Sequence, residues 1–429
     1  MKRFYVLSTL LLIAILSVAA CAVPMPQDAA PAEDAAMEEA AEEAPAEEAS
    51  EEEASEEEAS EDMAEGDDMA AMKQAALTTY ADIVYASYED SHMLAVELQA
   101  ALEAFVADPS EETHQAAKDA WLASNEPYGQ TEAYRFYGGP IDDEDGPEGL
   151  LNAWPLDEAY VDYVDGAPEA GIINNVEEYP EISRELIASL NEVGAEENIS
   201  TGYHAIEFLL WGQDMYEDSA GQRAYTDYVD APNAERRGQY LLAVGEQLVD
   251  NLAEMVAAWD AAGADNYRAE FLASDADMGI QNVLTGLGVL SKAELAGERM
   301  FTALDNQDQE DEHSCFSDNT HRDIITNNQG VMNVYMGSYT RLDGSEVSGT
   351  SLADVVAAVD ADLNDQMVAL LEASMAQVNA IHVPFDQAIV LADQRPIVLE
   401  AVMTLQDQGD KVAEVASALG LTVNTALPE

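Results

Sequence analysis

Basic residues are scarce in this chain: 16 lysines and arginines stand against 86 aspartates and glutamates, a formal net charge of −70. So acidic a surface repels phosphate backbones and anionic lipid, which excludes nucleic acid and argues against acidic membrane surfaces as partners. The same charge raises the local concentration of cations, and it equally fits adaptation to a saline habitat. Cysteine is nearly absent, with only Cys21 and Cys315. After the first twenty or so residues no apolar run has the length to cross a bilayer. Also missing are His-Glu-x-x-His, Gly-x-Ser-x-Gly, a P-loop and the dinucleotide glycine fingerprint. The commonest zinc-peptidase helix, the serine-hydrolase elbow and nucleotide cradles are thereby set aside. Strand-type alternation is almost lacking, so the chain reads as all-α.

What is present begins with a leader. Lys2 and Arg3 precede an apolar run from Val6 to Ala20, ending in Val18-Ala19-Ala20-Cys21. A charged n-region, a short apolar core and small residues before a cleavage point predict a signal peptide over residues 1–20. Val-Ala-Ala-Cys resembles a bacterial lipobox, in which Cys21 carries lipid and becomes the mature N-terminus; ordinary cleavage leaving an incidental thiol is the alternative. Several acyl chains on one residue suffice for stable anchoring. The mature chain is then expected in the cell envelope, tethered to a membrane and facing the periplasm or exterior. With Cys21 so used, no intramolecular disulfide forms, and an exported protein of this length relies on its core.

Residues 21–72 are mostly Ala, Glu, Asp, Ser, Pro and Met, with runs such as Glu51-Glu52-Glu53 and no aromatic or basic residue between Met25 and Met72. Such a stretch cannot bury enough apolar surface to offset its ordering entropy, and it is expected as a disordered acidic linker with parts transiently helical. From Lys73 the pattern turns helical: Ile83, Val84, Leu94, Leu98, Leu102 and Phe105 follow one face. Asp108-Pro109-Ser110-Glu111 offers an N-cap, Pro at N1 and Glu at N3 for a second helix. Further helices are expected over 200–211, 234–261, 278–304, 317–335, 352–381 and 394–419. They fall into two sets, which predicts an N-terminal helical bundle over 73–245 and a C-terminal bundle over 246–429. Residues 136–179, rich in Gly, Pro and Asp, form a long connection of the kind that is usually functional.

Three clusters could carry chemistry. In Gly202-Tyr203-His204-Ala205-Ile206-Glu207, His204 and Glu207 stand three apart and share a helix face. Imidazole nitrogen with carboxylate oxygen suits zinc, iron or manganese; a buried His bonded to a nearby Glu, without metal, is the plain alternative. From Trp121 to Tyr137, Glu126, Glu132 and Arg135 form either a polar site or a structural ion-pair network, and Pro127 would kink their helix. From Glu310 to Asp323, Glu310 and His313 show Glu-x-x-His spacing, the order used on the helices of di-iron bundles, though those need two such copies and two more carboxylates; Glu312, Cys315, Asp318 and His321 stand in the same stretch. There Ser317 or Asp318 is expected to cap the following helix, and the helix N-terminus could hold an anion.

These clusters together resemble the imelysin family, which includes the insulin-cleaving membrane protease and the iron-regulated protein A group. Gly202-Tyr203-His204-Ala205-Ile206-Glu207 matches its Gly-x-His-x-x-Glu motif. Trp121 to Asp142, with Arg135-Phe136-Tyr137-Gly138-Gly139-Pro140-Ile141-Asp142, resembles the segment preceding it. Asn152-Ala153-Trp154-Pro155-Leu156-Asp157 is similar to its Trp-Pro turn, and Glu310 to Asp323 resembles the iron-regulated branch.

The resemblance, which spans Lys73 to the C-terminus, implies two helical-bundle domains and an envelope role in iron acquisition. It also implies a site between the domains that includes His204 and Glu207. The peptidase label of the family fits this chain poorly: His-x-x-Glu supplies two ligands, whereas catalytic zinc has three and an open position. The expectation is therefore a binding protein for iron or an iron-bearing ligand, with an envelope transporter as partner. His204 and Glu207 would ligate iron or zinc or orient a ligand, and Glu126, Arg135, Glu312, His313 and Asp318 would stand around them. A metal-dependent peptidase and a docking lipoprotein without metal are the rival readings.

Overall fold

The structure is a computed structural model that describes residues 49–427, with side chains described from Gly66 onward except Asp67. The expected leader and Cys21 lie outside the described residues, as does the linker up to residue 48. Helix α1 (Ala49–Ala107) takes in the remainder of the expected linker, as its Ala and Glu content permits. Apolar contact with the core begins at Met69 and Met72, slightly before Lys73.

Helix α2 (Glu111–Thr131) starts two residues later than its sequence signature suggested. Its cap is Ser110 rather than Asp108: the Ser110 hydroxyl accepts from the Thr113 amide, and the Ser110 amide donates to the Thr113 hydroxyl. Asp108-Pro109 instead ends the preceding turn. Pro127 lies inside α2 without ending it.

Helix α3 (Gly202–Trp211) carries the histidine motif and is buried along its whole length. It packs against α2 and against α4 (Ala234–Trp259). In turn, Gly238 and Gly245 of α4 approach Val106 and Leu102 of α1 closely.

Helix α5 (Ala276–Val289) continues through wide π turns over Leu290–Phe301 into Thr302–Asn306, matching the expected 278–304 helix in place. After it come α6 (Thr320–Met336), a β-hairpin of β1 (Ser338–Thr340) and β2 (Glu346–Ser348), α7 (Leu352–Val359), α8 (Ala361–Val378) and α9 (Arg395–Ala418). The helix expected over 352–381 breaks at Asp360, whose side chain caps α8 through the Leu363 amide. Helices α8 and α9 pack on each other, and α9 packs on the α5–π segment. Helix α6 packs on both α8 and α2. Through that contact the turn before α6 is brought against the motif helix. The fold is all-α apart from the short hairpin. Among the described residues no helix is long and apolar enough to cross a membrane.

Candidate functional site

Helix α3 begins abruptly. Thr201 gives it no side-chain cap, and Gly202, its first residue, has φ of +82°. A side chain at 202 would place its Cβ 2.5 Å from the Leu151 carbonyl oxygen, so only glycine fits. This tight entry sets the position of His204 in the first turn of the helix, where it is 1% exposed.

The imidazole Nδ1 of His204 lies 2.9 Å from Glu207 Oε2. The other oxygen, Oε1, accepts from the Ser317 amide at 2.9 Å and the Ser317 hydroxyl at 2.7 Å. Both oxygens of Glu207 are thus engaged, Oε2 with His204 and Oε1 with Ser317. Burial pushes the Glu207 carboxyl up, while His204 and Ser317 oppose that shift. His204 Nε2 is buried and has no hydrogen-bond partner.

The turn before α6 repeats the device. His313 Nδ1 lies 2.9 Å from Asp323 Oδ2, which also accepts from the Ser314 hydroxyl at 2.6 Å. His313 Nε2, like its counterpart, is buried and unpartnered. Burial first, and then the Arg299 charge, hold the His313 imidazole well below its usual range, so it is neutral with a free lone pair. Burial raises the Asp323 carboxyl to about 6 against the opposing Ser314 hydrogen bond. The two imidazoles touch edge to face, with ring centroids 4.6 Å apart and planes at 88°. Trp154 stands over His313 at 5.7 Å and donates its indole N–H to the Glu312 carbonyl.

His313 and Trp154 line a cavity of about 210 Å³ together with Arg135 and Arg299. A buried ion network forms its wall. Glu132 accepts from Arg299 at 2.6 Å and from Arg135 at 2.8 Å; Arg135 also pairs with Glu148, and Arg299 with Glu294. Burial alone would raise the Glu132 carboxyl, but the two guanidiniums hold it at about 2.

Residues 84–412 match the family model of the imelysins, peptidase family M75. This chain belongs to the imelysin family. It is 26% identical over 262 residues to iron-regulated protein A of Synechococcus elongatus, covering 61% of this chain and 63% of that relative. The chain thus spans less than two thirds of the length of the curated relative it matches. Two crystal structures share the fold. One is a candidate iron-regulated protein A precursor from Parabacteroides distasonis, with a TM-score of 0.63, 20% identity, and coverage of 81% of this chain and 95% of that one. The other is an imelysin-like protein from Psychrobacter arcticum, with a TM-score of 0.58, 13% identity, and coverage of 83% and 98%.

In this imelysin the expected site residues separate into groups. His204, Glu207 and His313 come together. Arg135 lines the adjoining cavity and belongs to the ion network. Glu126 sits on a half-exposed stretch of α2 in a bidentate pair with Arg322, at 2.6 and 2.7 Å. Glu312 is buried with Oε1 unpartnered, and burial together with the Asp386 charge pushes its carboxyl well up. Burial, then the Asp386 and Asp214 charges, raise Asp318 to about 7.

The expected capping of α6 is corrected. Its N-cap is Asn319, without a side-chain bond; Ser317 is spent on Glu207, and Asp318 adopts φ of +59°. Glu310 and His313 do not share a helix face, because a 3₁₀ turn over Gln309–Asp311 carries the first and a loop the second. Sequence reasoning missed Asp323 as the partner of His313, Ser314 as a donor to Asp323, and Arg299 as the partner of Glu132. The scarcity of basic residues was the available signal for Arg299, since in so acidic a chain an arginine within a helix needs a reason.

Among the described residues, no three His, Cys, Asp or Glu side chains come together as a metal cage. What the chain does offer is a pair of imidazoles, each with Nδ1 fixed by a carboxylate and Nε2 free. That outer support is the arrangement that tunes metal-ligating histidines. The donor set therefore fits two nitrogen ligands to a metal that brings the rest of its own coordination, and does not fit a complete protein cage. Cys315 is buried, and burial raises its thiol well above the usual range, so it is inert.

Proposed function

We propose that this imelysin is a lipid-tethered cell-envelope protein that captures iron already carrying small ligands, using His204 and His313 as nitrogen donors. The observation that carries the reading is the matched pair of buried, unpartnered Nε2 atoms, each backed through Nδ1 by a carboxylate. Leaving such atoms without a partner costs roughly 1–3 kcal/mol apiece, a cost that a ligand would remove. Glu207 and Asp323 orient the donors, and Arg135 and the Glu132 network shape the entrance. The cavity of about 210 Å³ beside His313 falls below the roughly 300–1,000 Å³ of sites for drug-sized ligands, which favours a small chelate over a porphyrin. The name of the Synechococcus relative, iron-regulated protein A, supports iron over zinc.

The reading includes the lipid anchor at Cys21, an envelope transporter as partner, and the division of the helices into bundles over 73–245 and 246–429. Glu126, Glu312 and Asp318 remain candidates for ligand contacts outside the histidine pair. Peptide hydrolysis is not part of it, since catalytic zinc takes three protein ligands and only two stand here.

The test is metal content and equilibrium binding of ferric citrate to the full chain, wild type against His204→Ala and His313→Ala. Stoichiometric iron lost in both variants is the expected result. Equal affinity in all three proteins, or chelator-sensitive cleavage of an unfolded substrate that depends on His204, would sink it.

A further inference from the structure

A second cavity, of about 640 Å³, opens beside the segment that follows α3. Three of its carboxylates, Asp214, Glu310 and Asp386, come from separate parts of the chain. Asp214 and Asp386 are each only 4% exposed. In each, one oxygen accepts a backbone N–H, from Tyr216 at 3.0 Å and from Gln387 at 2.7 Å. The other oxygen, Oδ2 in both, is buried without any partner. Among the described residues none of these three carboxylates forms an ion pair with a lysine or arginine. Burial raises the Asp214 carboxyl to about 6 against the opposing Tyr216 amide, and the Asp386 charge adds to the rise. Two buried carboxylates, each with one oxygen unpartnered and no ion pair, are costly unless something neutralises them.

The rim of the same cavity is apolar. Met215, Tyr216 and Val390 line it and are 64%, 41% and 45% exposed. A metal ion has no use for such a rim, and no group of three ligating side chains here could hold one. An aliphatic stem does use it, and a tyrosine face attracts a cationic head. Asp214 and Asp386 both line the cavity, and the unpartnered oxygen of each is buried. A carboxylate's terminal torsion is broad and two-fold, so a small rotation presents either oxygen to the cavity.

We propose that this cavity binds an organic cation, an alkylammonium head on an aliphatic stem, with Asp214 and Asp386 receiving the head and Met215, Tyr216 and Val390 holding the stem. Such a head arrives either on a free polyamine or on a lysine side chain of a partner protein. The site does not depend on the histidine pair.

The experiment is calorimetric titration of the full chain with cadaverine and with N-acetyl-lysine amide. It is run at about 0.15 M salt, where exposed charges are screened beyond about 8 Å. Saturable one-to-one binding is expected, weakened at least ~10-fold by Asp214→Asn and by Asp386→Asn, in line with loss of a charge-assisted hydrogen bond. The exposed control Asp365→Asn leaves it unchanged, and so does His204→Ala, which separates this site from the iron reading. Tighter binding of the diamine marks a free polyamine, and equal or tighter binding of the lysine amide marks a protein side chain. Val390→Trp fills the cavity from an exposed position, leaves both carboxylates intact, and should abolish binding. Absence of saturable binding, unchanged affinity in Val390→Trp, or response to calcium or magnesium alone would overturn the proposal.

Discussion

His204 of α3 and His313 of the turn before α6 meet edge to face, ring centroids 4.6 Å apart, each tied by Nδ1 to its own carboxylate. Side chains that share a ligand couple, so their substitutions should not add. In a double-mutant cycle on ferric citrate binding, His204→Ala and His313→Ala should each remove most of the affinity, and the double variant little more. Strictly additive losses would show that the rings act separately. His204→Ala also strips Glu207 Oε2 of its donor, so a stability loss of about 1–3 kcal/mol is expected in urea unfolding.

Gly202 sets the helix that carries His204. Alanine there needs a left-handed backbone and puts Cβ against the Leu151 carbonyl, a backbone atom that cannot swing aside. Strain of this kind costs of order 1–3 kcal/mol, and the clash adds to it. Gly202→Ala should lower stability by about 3 kcal/mol and weaken ferric citrate binding as well, because His204 sits two residues on. A variant that unfolds at the wild-type urea midpoint would refute this account of the motif's glycine.

How much of this was legible beforehand differs by level. Helices show in the periodicity, and α3, α4, α6 and α9 begin or end within a few residues of where the pattern put them. The His204–Glu207 face is legible because both residues lie within one turn. The His313–Asp323 pair is not, because its partners belong to a loop and a helix whose relative placement is tertiary. The same holds for Ser317: a serine before a helix reads as a cap, and only the packing of the turn on α3 shows that it serves Glu207. Asp214 and Asp386 lie far apart in the chain, and nothing local marks them as neighbours.

Glu207 acts on His204 through hydrogen, which gives its isostere a distinct signature. An ionised carboxylate can only accept, so Nδ1 carries the proton and Nε2 the lone pair. Glutamine at 207 must use its one oxygen either for His204 or for Ser317. If it keeps Ser317, its amide donates to Nδ1 and the imidazole proton moves to Nε2. Glu207→Gln should therefore shift the His204 tautomer in nitrogen NMR and weaken ferric citrate binding by about 10–100-fold, the usual cost of losing an outer partner. An unchanged tautomer with full affinity would remove Glu207 from the site.

Glu132 makes the acid response of this fold specific. Its carboxyl is held at about 2 by Arg135 and Arg299 although burial opposes that, against an ordinary value of 4.5. For a depressed carboxyl the stabilisation is fully present above the ordinary value and is lost as pH falls through it toward the folded value. At 1.36 kcal/mol per unit of pKa this amounts to about 3 kcal/mol. Asp323 has the opposite sign: raised to about 6 from 3.8, it costs stability as pH rises through that window, so the two are separable by pH. Glu132→Gln should cost about 3–5 kcal/mol at neutral pH, because it leaves buried guanidiniums without their anion. The gap between wild type and variant, measured by urea unfolding, should then narrow by about 3 kcal/mol as pH drops from about 4.5 toward about 2. Carboxylates outside this ion network titrate alike in both proteins and cancel in the difference. A gap that stays constant across the window would mean that Glu132 is not the ionised anchor of the arginine pair.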